Sequence, residues 1–262
     1  MTEQTLQQNS QQQALRDYLL RLGDSALIIS QRLCELCGKA PAVEEEMALM
    51  NVALDLVGQA RNWYDYAAEL EGGTRDADAL AFRRDAHEYR NLLIVEQPNG
   101  DYAVTMARQF FYDTWHYFTL QALVKSPDER IAGIAAKALK EVTYHLRRSS
   151  EWVKRLGDGT EESHQRMEVA IESLWRFTGE MITPDAVDTQ LAAAGLAPEP
   201  QQLAADWKGL VKEVLTEATL TVQPDDAWMQ LGGKKGVHTE HLGFILAEMQ
   251  FLQRAYPDAK TW

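Results

Sequence analysis

The chain has 262 residues, 26 Lys plus Arg against 39 Asp plus Glu, and a formal net charge of −13. Its 45% hydrophobic and 25% charged residues are those of a globular protein with a substantial core. The acidic balance excludes nucleic acid, whose phosphates need a basic footprint, and argues against an anionic membrane surface while leaving a basic protein partner open.

Two cysteines, Cys34 and Cys37, exclude a disulfide framework. Met1 to Gln13 is polar and rich in Gln, with neither the basic flank nor the apolar centre of a signal peptide. Apolar runs such as Ala26 to Ile29 are too short to cross a bilayer. A cytoplasmic protein is expected.

Turn residues cut the chain into long helices, and no alternating Val/Ile/Thr run suggests a strand. The first helix is expected from about Gln11 to Cys37, stopped by Gly38. Pro41 and the acids Glu44 to Glu46 open a second, which runs to about Glu71 and Gly72-Gly73. A shorter helix is expected from Asp76 to about Tyr89, and Pro98-Asn99-Gly100 is a turn. The third long helix covers about Tyr102 to Val124. Ser126-Pro127-Asp128-Glu129 starts a fourth, which reaches Leu156 and Gly157-Asp158-Gly159. Further helices are expected over 161–178, 184–194 and 201–220, then a long loop over 221–237, then a last helix from Thr239 to Ala255.

Four long helices, with about 30 residues between the second and third, predict an all-α, ferritin-like four-helix bundle with additional C-terminal helices. One domain over 1–262 is expected, with 1–10 as a flexible tail.

Each long helix carries one carboxylate in an otherwise apolar or aromatic stripe. These are Asp24 with Leu20 and Leu27, Asp55 with Val52 and Gln59, Asp113 with Phe110 and Tyr117, and Glu141 with Ala138 and His145. A buried carboxylate needs a metal, a base or hydrogen-bond donors. Four inward acids suit a di-iron carboxylate bundle, which also requires a Glu-x-x-His pair on each of two helices. If the second and fourth helices carried those pairs, the imidazoles would stand at positions 58 and 144, which hold Gly58 and Tyr144. The acids therefore read as the vestige of a metal site. Two readings stay open for the rest. Asp113, His116, Glu141 and His145 form an irregular metal site, or these histidines are simply hydrogen-bonded to the acids.

Cys34 and Cys37 lack the further ligands of a zinc site and the strand of a redox motif, so they read as core thiols. The third helix bears aromatics on every side, from Phe110 to Phe118, which requires burial all round by further helices of this chain or by a partner subunit. Trp63 and Tyr64 are candidates for the same surface.

Three stretches carry a resemblance. They are Leu19-Leu20-x-Leu22-Gly23-Asp24 continuing through Arg32-Leu33 to Cys37; Glu45-x-x-Leu49-x-Asn51-x-Ala53-Leu54-Asp55-Leu56-x-Gly58-Gln59-Ala60-Arg61; and His238-Thr239-Glu240-x-Leu242-Gly243 continuing through Glu248-Met249-Gln250 to Arg254, Pro257 and Trp262. In these, the chain resembles the C-subunit family of bacterial phenylacetyl-CoA epoxidases over nearly its whole length. The resemblance implies a ferritin-like structural subunit without catalytic residues. It would support a homologous catalytic A subunit that holds the di-iron centre. A small B subunit and a reductase with FAD, an iron–sulfur centre and NADPH complete such a system. It epoxidises the ring of phenylacetyl-CoA with O₂. Asp24, Asp55, Asp113 and Glu141 would be internal pairs, with Arg32, Arg61, His116 and His145 as counter-groups. Two loops offer donors to a CoA ester, Thr74-Arg75-Asp76 after Gly73 and Arg176-Phe177-Thr178-Gly179, although both also read as plain helix ends.

Overall fold

A computed structural model describes the backbone of residues 3–259 and the side chains of 9–259. The fold is all-α, and no strand occurs among the described residues. In chain order the helices are α1 (Glu3–Cys34), α2 (Val43–Leu70), α3 (Ala77–Phe82), α4 (Tyr102–Leu123), α5 (Glu129–Gly157), α6 (Glu161–Trp175), α7 (Gly179–Ile182), α8 (Ala186–Ala193), α9 (Pro200–Glu217), α10 (Glu240–Met249) and α11 (Phe251–Ala255). No described helix is long and apolar enough to cross a membrane.

The caps explain where these helices start. Asp101 accepts from Val104 N and Asp128 from Arg130 N and Ile131 N, so α4 and α5 begin where their sequence signals stand. Thr160 and Ser163 form a reciprocal capping box on α6, as do Asp185 and Asp188 on α8.

Three boundaries depart from expectation. α1 starts at Glu3 and takes in most of the segment expected as a tail. The helix expected from Asp76 to Tyr89 stops at Phe82 and gives way to single 3₁₀ turns at Ala86–Glu88 and Leu93–Glu96. The final helix breaks at Gln250 into α10 and α11. Trp262 lies outside the described residues.

The contacts group into two compact units. The first comprises 1–38, 44–98 and 232–262. In it α1 and α2 run antiparallel. Gln12 and Arg16 meet Leu70 and Glu71 at one end, Tyr64 meets Asp24 midway, and Gly38 N meets Glu46 at the corner. Gly23 permits the close approach, because a Cβ there would lie 2.8 Å from Tyr64 Cε1.

The second unit comprises 39–43 and 99–231. Here α4 packs against α5, α6 and α9. Phe111, Trp175 and Trp207 form an aromatic cluster with centroids 5.8–5.9 Å apart, and Trp207 Nε1 donates to Phe111 O. Most of the aromatic run of α4 is thus packed by helices of its own unit, Tyr117 and Phe118 being half-buried, while Trp63 and Tyr64 are buried and offer no surface.

Candidate functional site

Among the four acids, Asp24 and Asp113 are fully buried. Asp55 and Glu141 are half-exposed, so the inward placement expected for them is corrected. The reason is angular. A stripe spaced by sevens and fours drifts around a helix of 3.6 residues per turn, and these two acids fall at the edge of their buried faces. Gly58 and Tyr144 are exposed, and a Cβ on Gly58 would meet nothing within 4 Å. Neither position faces an interior, so an imidazole at 58 or 144 would not point inward.

In the first unit, Asp24 on α1 receives four donors. Tyr64 OH donates to Oδ1 at 2.6 Å, Arg90 N to Oδ2 at 2.7 Å and Arg84 Nη1 to Oδ2 at 3.1 Å, and Arg84 Nη2 closes a short second contact on Oδ1. Arg84 is itself buried and lies over the Tyr89 ring, 4.2 Å from its centroid. Burial pulls the Arg84 guanidinium down, but the Asp24 carboxylate outweighs it and holds Arg84 above its ordinary value. Burial, then the neighbouring Asp24 charge, raises the Tyr64 phenol well above its ordinary value. The counter-group of Asp24 is therefore Arg84, which the sequence reading missed. Its sequence position, in a run read as ordinary helix, gave no sign of it. The expected counter-groups Arg32 and Arg61 serve elsewhere. Arg32 donates to Glu96 O and pairs with Glu35, and Arg61 lies near Asp65 on the surface.

A second buried node in this unit centres on Glu96. Thr239 N and Oγ1 meet Oε1 at 2.6 and 2.7 Å, while Asn91 Nδ2 and His238 Nδ1 meet Oε2, each at 2.9 Å. His238 Nε2 also lies 3.0 Å from Tyr89 O. Burial lowers the His238 imidazole, but the Glu96 hydrogen bond and charge raise it further, leaving its pKa above the ordinary value. The motif at 238–240 is thus an anchor for the C-terminal helices. Gln250 and Arg254 extend it by donating to Arg84 O.

In the second unit, Asp113 on α4 accepts from Ser149 Oγ and Gln109 Nε2, both at 2.8 Å. Burial raises its carboxyl to about 6, against the lowering effect of nearby His145. His116 is buried and pushed down to about 3 by burial and by His145, so its imidazole is neutral. The expected pairing of His116 with an acid is corrected; Ser149 and Gln109 hold Asp113 instead.

These residues do not fit a metal centre. Each Asp113 oxygen already accepts a hydrogen bond, Glu141 is half-exposed, and no group of three or more His, Cys, Asp or Glu among the described residues is arranged to hold an ion. Cys34 and Cys37 are exposed rather than core, because α1 frays into a turn at its end.

The two candidate CoA loops lie in different units. Arg75 pairs with Glu71 and Glu88, and Asp76 caps α3. Arg176 donates to Gln230, and its guanidinium lies 4.8 Å from the Phe177 ring centroid and 5.6 Å from that of Trp228. Phe177, Thr178 and Gly179 are buried, Thr178 Oγ1 donating to Trp175 O, whereas Thr74 is exposed.

α2 also presents an outward strip. Met47, Leu54 and Val57 are 62%, 70% and 38% exposed, with half-buried Met50 and bare Gly58 among them. The spacing of three and four places them in one line with no charge between, until Arg61.

A family described as phenylacetic acid catabolic protein matches residues 1–262. A curated relative, the C subunit of 1,2-phenylacetyl-CoA epoxidase of Escherichia coli (strain K12), is 53% identical over 243 residues, covering 93% of this chain and 97% of the relative. The all-α, ferritin-like class read from the helix pattern is the class of this family. The chain belongs to the phenylacetic acid catabolic protein family.

Proposed function

We propose that this chain is the non-catalytic structural subunit of a multicomponent oxygenase that epoxidises the ring of phenylacetyl-CoA. It packs on a homologous catalytic A subunit that holds the di-iron centre. A small B subunit and a reductase carrying FAD, an iron–sulfur centre and NADPH complete the assembly. α1, α2, α4 and α5 are read as the four bundle helices.

The observation that carries this reading is the closed Asp24 node. In a di-iron bundle, a buried acid on a long helix spends its lone pairs on metal. Here a guanidinium, a phenol and a backbone amide take them. The likeness to the C subunit of the Escherichia coli epoxidase supports the same assignment.

The Met47–Gly58 strip of α2 is the face assigned to the A subunit. Its spacing of three and four accepts the ridge of another helix, and its lack of charge makes burial favourable. A rigid second bundle on that face holds the partner's ligand helices in position. Contact of the CoA ester with this chain is assigned to Arg75 and Arg176.

The test is co-purification with the catalytic chain of the same organism. Wild type is expected to co-elute, and Leu54→Arg to stay folded but elute alone. Co-elution of Leu54→Arg would remove the α2 assignment, whereas failure of wild type would remove the assembly itself. Arg75→Ala or Arg176→Ala is expected to weaken binding of phenylacetyl-CoA by the complex, and unchanged affinity would remove those contacts.

A further inference from the structure

One face of α4 holds four polar atoms that are sealed from solvent and meet no protein partner among the described residues. They are Gln109 Oε1, Tyr112 OH, His116 Nδ1 and Thr119 Oγ1. Each parent residue is 1% exposed or less. Their spacing of three, four and three confines them to an arc of about 80° and sets them along about 15 Å of the helix axis. The Tyr112 and His116 rings are 5.1 Å apart.

A buried polar atom without a partner is costly, and four on one face would consume much of the margin by which a domain is stable. Something must therefore bond them, and the chemistry of the set narrows what. Gln109 Oε1 accepts only. The two hydroxyls donate and accept. A neutral imidazole nitrogen does one or the other. The four atoms carry no formal charge, so none of them neutralises an ion that would have to leave water to reach them. The nearest carboxylate, Asp113, already has both oxygens engaged. A ligand that both donates and accepts, is uncharged and fits between side chains one helical turn apart is water.

We propose that the Gln109–Thr119 face of α4 is a binding site for a file of ordered internal water, each molecule bridging successive polar side chains. A chain of this length carries about ten buried waters, so several in one file is an ordinary number. The file explains why a core helix tolerates polar residues at these positions.

A crystal structure of the full chain at atomic resolution tests this. Water density within hydrogen-bond distance of all four atoms is expected. Direct protein bonds to those atoms would overturn the proposal, as would an anomalous-scattering peak marking a metal among them. In solution, oxygen-17 relaxation dispersion registers long-lived internal water. Its amplitude is expected to fall in the double variant Tyr112→Phe, Thr119→Val, with the helical circular-dichroism spectrum unchanged. An amplitude equal to wild type would overturn the file.

Discussion

Asp24 and Arg84 are separated by 60 residues in sequence and meet as a buried ion pair, so each is hazardous without the other. Arg84→Met leaves the Asp24 charge in the core with two donors fewer, and is expected to destabilise the chain by about 3–5 kcal/mol. Adding Asp24→Leu should recover much of that loss, because well-packed apolar replacements of a buried pair are often neutral. Urea unfolding of the two variants checks both. His238 makes a pH-dependent contribution. Its folded pKa is raised above 6.5, so its bond to Glu96 stabilises fully below pH 6.5 and is lost as pH rises through the higher folded value. Wild type is therefore expected to lose stability relative to His238→Gln as pH is raised from 6 to 9, read from the denaturation midpoint at each pH. A difference that grew with rising pH instead would reverse the assignment of the charged partner.

At the scale of the element, α2 has two faces with opposite demands. Its inner face receives α1 at Gly23, where Ala would place a Cβ against the Tyr64 ring that donates to Asp24. Gly23→Ala is expected to cost about 1–3 kcal/mol, measured by chemical denaturation. Its outer face carries the exposed side chains of Met47, Leu54 and Val57, so Leu54→Arg should change stability by no more than about 0.5 kcal/mol while abolishing co-elution with the catalytic subunit. In the second unit, α9 is fixed through Trp207, which fills the aromatic cluster and bonds Phe111 O. Trp207→Ala is expected to cost about 3–5 kcal/mol, with thermal unfolding as the readout. The short 3₁₀ turn at Gly233–Lys235 closes on Gly236, whose φ of +78° and contact with His87 O admit no side chain.

For the whole molecule, the decisive quantity is metal content. The chain expressed alone in iron-rich medium is expected to contain negligible iron and manganese, because the buried carboxylates Asp24, Glu96 and Asp113 already accept hydrogen bonds. About two metals per chain by elemental analysis would make it an oxygenase in its own right.

Local chemistry determined the long helices. Asp101, Asp128 and Thr160 cap the helices that their positions announce, and the apolar periodicity of α4 and α5 needed no distant partner to be legible. The same local rules placed Asp24 and Asp113 among apolar residues, which their full burial matches. What the sequence left undecided depends on contacts between distant residues. The segment 83–89 reads as helix until Arg84 turns inward to Asp24, and the chain after it is shaped as Glu96 gathers Asn91, His238 and Thr239. Those buried charges outweigh helix propensity, because leaving them unpaired costs more than breaking a few turns. The exposure of Cys34 and Cys37 and the partial burial of Asp55 and Glu141 are equally a tertiary matter. Helical spacing orders side chains around an axis, but only packing decides which arc is covered.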